Sequence, residues 1–237
     1  MTGIAAAESN TFERELPARP AHRIARRELG RVDYTPTWEA MKAFTGSRTA
    51  TTADEIWLLE HFPVYTYGVA GRAEHLPRVA NAIPCIKVDR GGQITYHGPG
   101  QVVLYTLMDL RRLGLTVRGL VQLLEQSVLD LLNVFGIRGE RREGAPGVYV
   151  DGAKIAALGL RVRNGCAYHG LSFNVDVELA PFSAIDPCGY PNLPVTRLRD
   201  FGVEESAPAV GGLLASHIVA RLEAIRAPIE TAATSIP

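Results

Sequence analysis

The chain has 237 residues, a length for one large domain or two small ones. Its 25 Lys plus Arg balance 25 Asp plus Glu, and that zero formal charge argues against a binder of duplex nucleic acid. At 46% hydrophobic and 21% charged residues, the chain can bury a core and is too apolar to be a disordered protein.

Three cysteines, none in a C-x-x-C pair, speak against a disulfide scaffold and a cysteine-rich zinc module. A reduced, cytoplasmic protein is expected. The strongest apolar stretch, Val102 to Met108, falls far short of the roughly 20 residues that cross a membrane as a helix. No membrane association is expected. The N-terminus has no secretory apolar region, and Glu8, Glu13 and Glu15 argue against a transit peptide.

Residues 1–27 mix Ala, Glu, Arg and Pro without an apolar period and read as a disordered tail. Residues 28–226 read as a single folded domain, and 227–237 as a frayed C-terminus. Thr35 and Pro36 suggest an N-cap and a first helical proline, with Trp38, Met41 and Phe44 on one face and Gly46 at the end. Short strands are predicted at Ile56–Leu59 and Val64–Tyr67, with Pro63 between them, and at Ile83–Val88. Gln101–Met108 is apolar enough for a central strand.

Arg118–Phe135 is the clearest helix. Leu120, Leu123, Leu124, Val128, Leu131, Leu132 and Phe135 form its apolar stripe, Thr116 its cap, and Gly136 its C-terminal glycine. Two hairpins follow. Val148–Val150 meets Asp151-Gly152, and Leu158–Arg163 meets Asn164-Gly165, dipeptides that supply the positive φ angles of primed turns. A last strand ends near Phe173–Val177, and a final helix runs over Gly212–Ile225. Helices interspersed with strands and antiparallel hairpins predict an α/β (α+β) domain with a mixed sheet.

Three clusters can carry chemistry. Arg90 to Gln101 (RGGQITYHGPGQ) holds four glycines and one proline in twelve residues. It suits a cradle for a phosphate or an acyl carbonyl, or equally a tight connection between two strands. It matches neither phosphate-binding fingerprint. The second cluster runs from Asp151 to Ser172. Lys154 stands at the mouth of an apolar strand, where desolvation makes a lysine a usable base, but an exposed hairpin lysine is the simpler reading. Cys166 and His169 form a nucleophile–base pair only if Cys166 lies in the turn, because a spacing of three in a strand puts them on opposite faces. The third cluster, Asp186-Pro187-Cys188-Gly189-Tyr190-Pro191, sets a cysteine in a stiff loop, as an attacking thiol requires. Cys188 therefore ranks first, Cys166 second, and Cys85, read as a small core residue, last. His61 suits either a site residue approaching from the first strands or a satisfied core histidine, and the second reading is the simpler. No spacing of His, Cys or carboxylates suggests a metal site.

Taken together, these motifs resemble the octanoyltransferases of lipoate biosynthesis. The likeness rests on Arg90–Gln101, on Gly147–Val150 with Lys154-Ile155, on Leu158–Arg161, on His169-Gly170-Leu171 and on Pro187–Tyr190. Leu59–Val64 also fits, and the whole spans about Leu29 to Arg199. The resemblance implies a fold similar to the biotin and lipoate protein ligase catalytic domain, a mixed sheet flanked by helices. It implies transfer of an octanoyl group from octanoyl-acyl carrier protein to a lysine of lipoyl domains of 2-oxoacid dehydrogenase complexes and related proteins, without a cofactor; a monomer that binds no nucleic acid is expected.

The resemblance further implies that Cys188 is the nucleophile and that Lys154 lowers its pKa. It assigns substrate contacts to Arg90, Gly91, Gly92, Gln93, Ile94, Thr95, Tyr96 and His97, to Ala157, Leu158 and Gly159, and to Gly170, Leu171 and Ser172. Amides near Gly170 and Leu171 are the expected oxyanion donors. Two rivals remain at this stage: an ATP-dependent lipoate or biotin-type ligase on the same scaffold, and a non-catalytic module that binds lipoyl domains or acyl carriers.

Overall fold

A computed structural model describes residues 24–72, 75–77, 82–187 and 193–226. Along these residues the order is β1 (Ile24–Val32), α1 (Tyr34–Gly46), β2 (Asp54–His61), β3 (Val64–Tyr67), β4 (Cys85–Lys87), β5 (Ile94–His97) and β6 (Gln101–Asp109). There follow α2 (Leu110–Leu113), α3 (Val117–Val134), β7 (Val148–Val150), β8 (Ala153–Arg163), β9 (Cys166–Asn174) and α4 (Ala207–Arg226).

A six-stranded sheet has the order β1-β2-β6-β9-β8-β7, and a three-stranded sheet the order β4-β3-β5. β1 lies parallel to β2 and β3 parallel to β4, while the other pairs are antiparallel. Both sheets are thus mixed, as the alternation of helices and hairpins predicted. β6 sits inside the large sheet and is buried from Gln101 to Met108. The reason is that both faces are covered. Val102, Leu104 and Met108 join the core beneath α3 and α4, whereas Val103, Tyr105 and Leu107 join Met41, Trp57 and Tyr168 beneath α1. Period-two alternation therefore shows as a continuous apolar run.

The clearest sequence signals give the clearest elements. Helix α3 buries Leu120, Leu124, Val128, Leu131 and Leu132 completely, and the Thr116 side chain accepts from the Gly119 amide at 3.0 Å. Gly136 follows the helix at φ +71. Both hairpin turns have the positive φ pairs their dipeptides imply: Asp151 +47 with Gly152 +84, and Asn164 +52 with Gly165 +80. Helix α4 begins five residues before the predicted Gly212. By length and composition it is the one candidate membrane span among the described residues. It is nevertheless packed on α3, with Leu214, Ala215, Ile218 and Leu222 fully buried in the core.

Other expectations need correction. α1 starts at Tyr34 with Asp33 as N-cap, not at Thr35 and Pro36. The first-turn amides have no intrahelical acceptor, so proline is tolerated throughout that turn and does not mark its first residue. β1 begins at Ile24, inside the stretch read as a tail; residues 1–23 and 227–237 lie outside the described residues. β1 is an exposed edge strand whose Arg27 and Arg31 pair with Glu55 and Glu60 of β2, so no apolar period marks it. Cys85, read as a core residue, is exposed on β4 at the end of the small sheet.

Candidate active site

A cleft enclosing about 480 Å³, its mouth included, opens where β5 and the loop before it face β6, β8 and β9. Its walls bring together three segments far apart in sequence: Arg90, Gly92, Gln93, Ile94, Thr95 and His97; Ala157, Leu158 and Gly159; and Gly170, Leu171 and Ser172. These are the substrate positions expected from the sequence, except Gly91 and Tyr96. The Gly91 amide donates to the Leu160 carbonyl at 2.8 Å. The Tyr96 ring turns away into a cluster with Tyr65 and Phe182, centroids 5.5 and 5.4 Å apart. Tyr34, Val103, Tyr105 and His169 complete the wall. The sequence reading assigned no wall position to Tyr34, Val103 or Tyr105, which come from separate elements and carry no local motif.

The glycine-rich stretch is a strand and a turn, not a phosphate loop. Ile94–His97 forms β5. Pro99 and Gly100 then occupy the centre of a turn closed by the Gln101 amide on the Gly98 carbonyl at 3.1 Å. With Gly100 at φ +84 it has the pattern of a type II turn. Arg90 is buried and turned inward. One guanidinium nitrogen donates to the Thr66 carbonyl at 2.6 Å and hydroxyl at 3.0 Å, and the other to the Gly91 carbonyl at 3.0 Å. His97 reaches Gln101 Oε1 through Nδ1 at 2.8 Å and Thr66 Oγ1 through Nε2 at 3.4 Å. Gln101 in turn donates to Asn174 Oδ1 at 2.9 Å. His97 therefore links the small sheet to β6 of the large one, and Arg90 ties the loop before β5 to β3.

A layer of aromatic rings floors the cleft. His61 is fully buried, as a satisfied core histidine should be. Its Nδ1 meets the Val32 carbonyl at 3.0 Å, which only accepts, so Nδ1 carries the proton and Nε2 accepts from Tyr105 Oη at 2.7 Å. Burial pushes its pKa down to about 4. Burial, then the nearness of His61, takes His97 down to about 3. Burial likewise raises Tyr34 to about 12 and Tyr105 well above its usual range.

His169 is bound differently. Its Nε2 lies 2.9 Å from Asp89 Oδ1, an oxygen that also accepts from Trp38 Nε1 at 2.8 Å, while Tyr168 Oη donates to Asp89 Oδ2. Burial opposes ionisation of Asp89, but the hydrogen bonds from His169, Tyr168 and Trp38 outweigh it and hold the carboxyl well below its usual range. Burial lowers His169. Neighbouring strand residues ordinarily point to opposite faces, yet the Tyr168 and His169 rings stack with centroids 5.1 Å apart. His169 achieves this at φ +63, a left-handed angle that is rare inside a strand.

Lys154 is on β8, and it is buried at 4% exposure rather than exposed on a hairpin. Its Nζ donates to the Pro146 carbonyl at 3.1 Å and lies 5.2 Å from the Tyr149 ring centroid. The amide of the same Pro146–Gly147 peptide donates to Glu125 Oε1 at 2.9 Å. Lys154 does not line the cleft. Its backbone pairs with Pro194 and Thr196, at 2.8 and 3.0 Å. Cys188, with Gly189 to Asn192, lies outside the described residues. Cys166 opens β9 with its sulfur 4.0 Å from the Asn164 carbonyl; burial and then Asp109 raise its pKa. It has no contact with His169, whose ring bonds elsewhere, so no Cys166–His169 pair exists. Gly170 and Leu171 are paired on both sides, with Tyr105 and Leu104 of β6 and with Gly159 and Leu158 of β8. The sheet thus competes for the amides assigned to an oxyanion.

The fold and cleft define an α/β enzyme domain with a cleft between two mixed sheets. A family model described as the lipoyl protein ligase A/B catalytic domain matches residues 33–216, and the chain belongs to that family. An octanoyltransferase of Azoarcus sp. is 64% identical over 193 residues, covering 81% of this chain and 85% of its own. One from Dechloromonas aromatica is 59% identical over 197 residues, 83% of this chain and 96% of its own. The fold is similar to a bi-partite lipoate protein ligase from Thermoplasma acidophilum, at TM-score 0.67, 16% identity and 85% of both chains. It is also similar to a biotin protein ligase from Aquifex aeolicus, at TM-score 0.52, 14% identity, 85% of this chain and 70% of that one.

Proposed function

We propose that this protein transfers an octanoyl group from octanoyl-acyl carrier protein to the lysine side chain of a lipoyl domain, through a thioester on Cys188. The observation that carries this reading is the convergence of Arg90–His97, Ala157–Gly159 and Gly170–Ser172 on one cleft. High identity to proteins named octanoyltransferase supports it. We assign the reaction to a monomer in the cytoplasm, where the thiol stays reduced.

An ordinary cysteine has a pKa of about 8.5 and is only a few per cent thiolate at pH 7. The Lys154 ammonium stabilises the Cys188 thiolate, so the two share a proton and titrate as a pair. In support, the Lys154 backbone is bonded to Pro194 and Thr196, which follow Cys188 in the chain. The thiolate attacks the donor thioester, the C–S bond of the donor breaks, and the carrier leaves as a thiol with the proton that Lys154 gives up, so Lys154 is left neutral. One thioester replaces another, so the step is nearly balanced and calls for no ATP. The apolar wall from Ile94, Val103, Ala157, Leu158 and Leu171 receives the alkyl chain, each buried methylene contributing about 0.8 kcal/mol. The acceptor lysine, having given one proton to solvent, attacks the enzyme thioester as a neutral amine; the C–N bond forms, the C–S bond breaks, Lys154 takes the second proton and the Cys188 sulfur leaves as the thiolate.

Intact mass spectrometry with octanoyl-acyl carrier protein, without ATP, tests the reading. An octanoyl adduct is expected on the native protein and not on Cys188→Ser. Turnover only with free acid and ATP would make the protein a ligase. Carrier binding without an adduct or turnover would make it a binding module. An adduct on the Ser variant would move the nucleophile elsewhere.

A further inference from the structure

Strand register grades the cleft from open to closed across the large sheet. Ala157 of β8 pairs with Ser172 of β9, and Ser172 with Val103 of β6. In the next row Gly159 pairs with Gly170, and Gly170 with Tyr105. All six line the cleft. Their side chains are small over β8 and β9 and become large at β6. Exposure falls in the same direction: Ala157 and Gly159 are half-buried, whereas Val103 is 1% exposed and Tyr105 4%. The mouth is therefore at β8 and the closed end at β6.

The closed end presents carbon to a ligand. Tyr34 joins the ring layer there, its centroid 4.9 Å from His61 and 5.9 Å from His97. Protein groups take the polar atoms of these rings. Tyr105 Oη donates to His61, the Tyr34 hydroxyl bonds Tyr105 and Thr66, and His97 bonds Gln101 and Thr66. Such a wall has nothing to offer an ammonium, a carboxylate or a hydroxyl, and it receives a hydrocarbon end. A satisfied network also holds its rings in place, so the wall does not retreat before a longer ligand. Macromolecular donors and acceptors reach the acyl carbonyl only at the open mouth, so the alkyl chain runs from β8 toward β6. Strands about 4.8 Å apart give this path about 10 Å. Eight carbons linked by bonds of about 1.5 Å reach about 9 Å when extended, and ten reach about 11 Å.

We propose that Val103 is the length stop of the cleft: its isopropyl group meets the terminal methyl of an eight-carbon chain and excludes longer ones. Val103 ends the row that begins at Ala157. It is backed by Leu59, its register partner on β2, and by Met41 of α1 in the same core. Its part is to determine specificity, and it takes no part in the bond changes. The stop belongs to the same cleft as the acyl-transfer reading and rests on that reading.

A competition tests this role. The protein is mixed with equal amounts of hexanoyl-, octanoyl- and decanoyl-acyl carrier protein, and the early enzyme adducts are compared by intact mass. Each ratio is taken within one protein, so a general loss of activity cancels. The native protein is expected to favour octanoyl over decanoyl by at least about tenfold, the scale on which an apolar pocket reads a methylene. Val103→Ala is expected to raise the decanoyl-to-octanoyl ratio at least about tenfold, and Val103→Leu to raise the hexanoyl-to-octanoyl ratio as much. Leu107→Ala removes buried carbon from the same core without touching the cleft wall, and it is expected to keep the native ratios. Ratios within about twofold of native in both Val103 variants would overturn the inference. So would an equal shift in Leu107→Ala, or a native protein that takes decanoyl as readily as octanoyl. Loss of every adduct from both Val103 variants would overturn it too, because a length stop changes which chain enters and not whether one does. No adduct of any length on the native protein would remove the acyl-transfer reading itself, and the length stop with it.

Discussion

Acidification should unfold this protein from the floor of its cleft. His61 and His97 are buried and neutral, with pKa values of about 4 and about 3 and rings 5.8 Å apart. In the unfolded chain each returns to about 6.5. Below that pH the unfolded state binds protons that the folded state refuses, so stability is fully present above about 6.5 and falls as pH drops toward the folded values. At 1.36 kcal/mol per unit, each histidine removes about 3 kcal/mol by pH 4. Together that is about 6 kcal/mol, set against a total stability of about 5–15 kcal/mol for a typical domain. His169, also lowered by burial, acts in the same direction, and Asp89 adds its loss at still lower pH. Urea unfolding followed by Trp38 and Trp57 fluorescence, repeated at about pH 7.5, 6.0 and 4.5, measures the slope. His61→Gln preserves a donor to Val32 and an acceptor for Tyr105, and it should take up to one proton out of that slope. A stability that stays flat from about pH 6.5 to 4.5, or an unchanged slope in His61→Gln, would refute the reasoning.

Three substitutions test the supports of the site. Lys154→Met keeps the buried stem while removing the ammonium; a folded protein with acylation slowed by at least about 100-fold is expected in the octanoyl-adduct assay, and near-native rates would end the role of Lys154. Glu125→Ala strands the Gly147 amide, so urea unfolding should show a loss of about 1–3 kcal/mol, and slower acylation because the peptide that holds Lys154 Nζ loses its anchor. Gly170→Ala would set a Cβ 2.0 Å from the Leu104 carbonyl oxygen, inside the strand pair β6–β9; a loss of more than about 4 kcal/mol is expected by thermal unfolding.

Much of the fold was legible because its signals are local. The stripe of α3, the Thr116 cap and the Asp-Gly and Asn-Gly turns each state their geometry within a few residues. β6 was legible because burial on both faces leaves no polar interruption except Thr106, which is itself buried. Edge strand β1 was not, since its Arg and Glu residues meet β2 through ion pairs and its side chains remain mostly exposed. Of the site, the Arg90–Gln101 stretch was legible from its residues as a cradle or a tight connection, while the contacts assigned to the three wall segments came only from the resemblance. Tyr34, Val103 and Tyr105 join the wall through strand register and the start of α1, which no short motif encodes. The tilt of His169 was invisible as well: the sequence shows a histidine before a glycine, and only the backbone shows that the histidine takes the left-handed angle.

The glycines explain why a motif that looks like a phosphate loop serves packing here. Gly159 and Gly170 face each other across β8 and β9. A Cβ on Gly159 would lie 3.0 Å from Arg90 Cδ and 3.1 Å from the Gly91 carbonyl oxygen. A Cβ on Gly68 would lie 2.4 Å from the Arg90 carbonyl oxygen. The bare Gly159 lets the Arg90–Gly92 segment press against β8, where the Gly91 amide joins the Leu160 carbonyl and ties the small sheet to the large one, and the bare Gly68 lets the same segment close on the end of β3. A phosphate cradle needs a run of amides facing outward; here that loop spends an amide and its arginine on the protein itself. The same close approach brings Asp89, one residue before Arg90, within reach of His169. Glycine at these positions therefore shapes the cleft by letting two sheets meet, which sets side chains of both sheets in one wall.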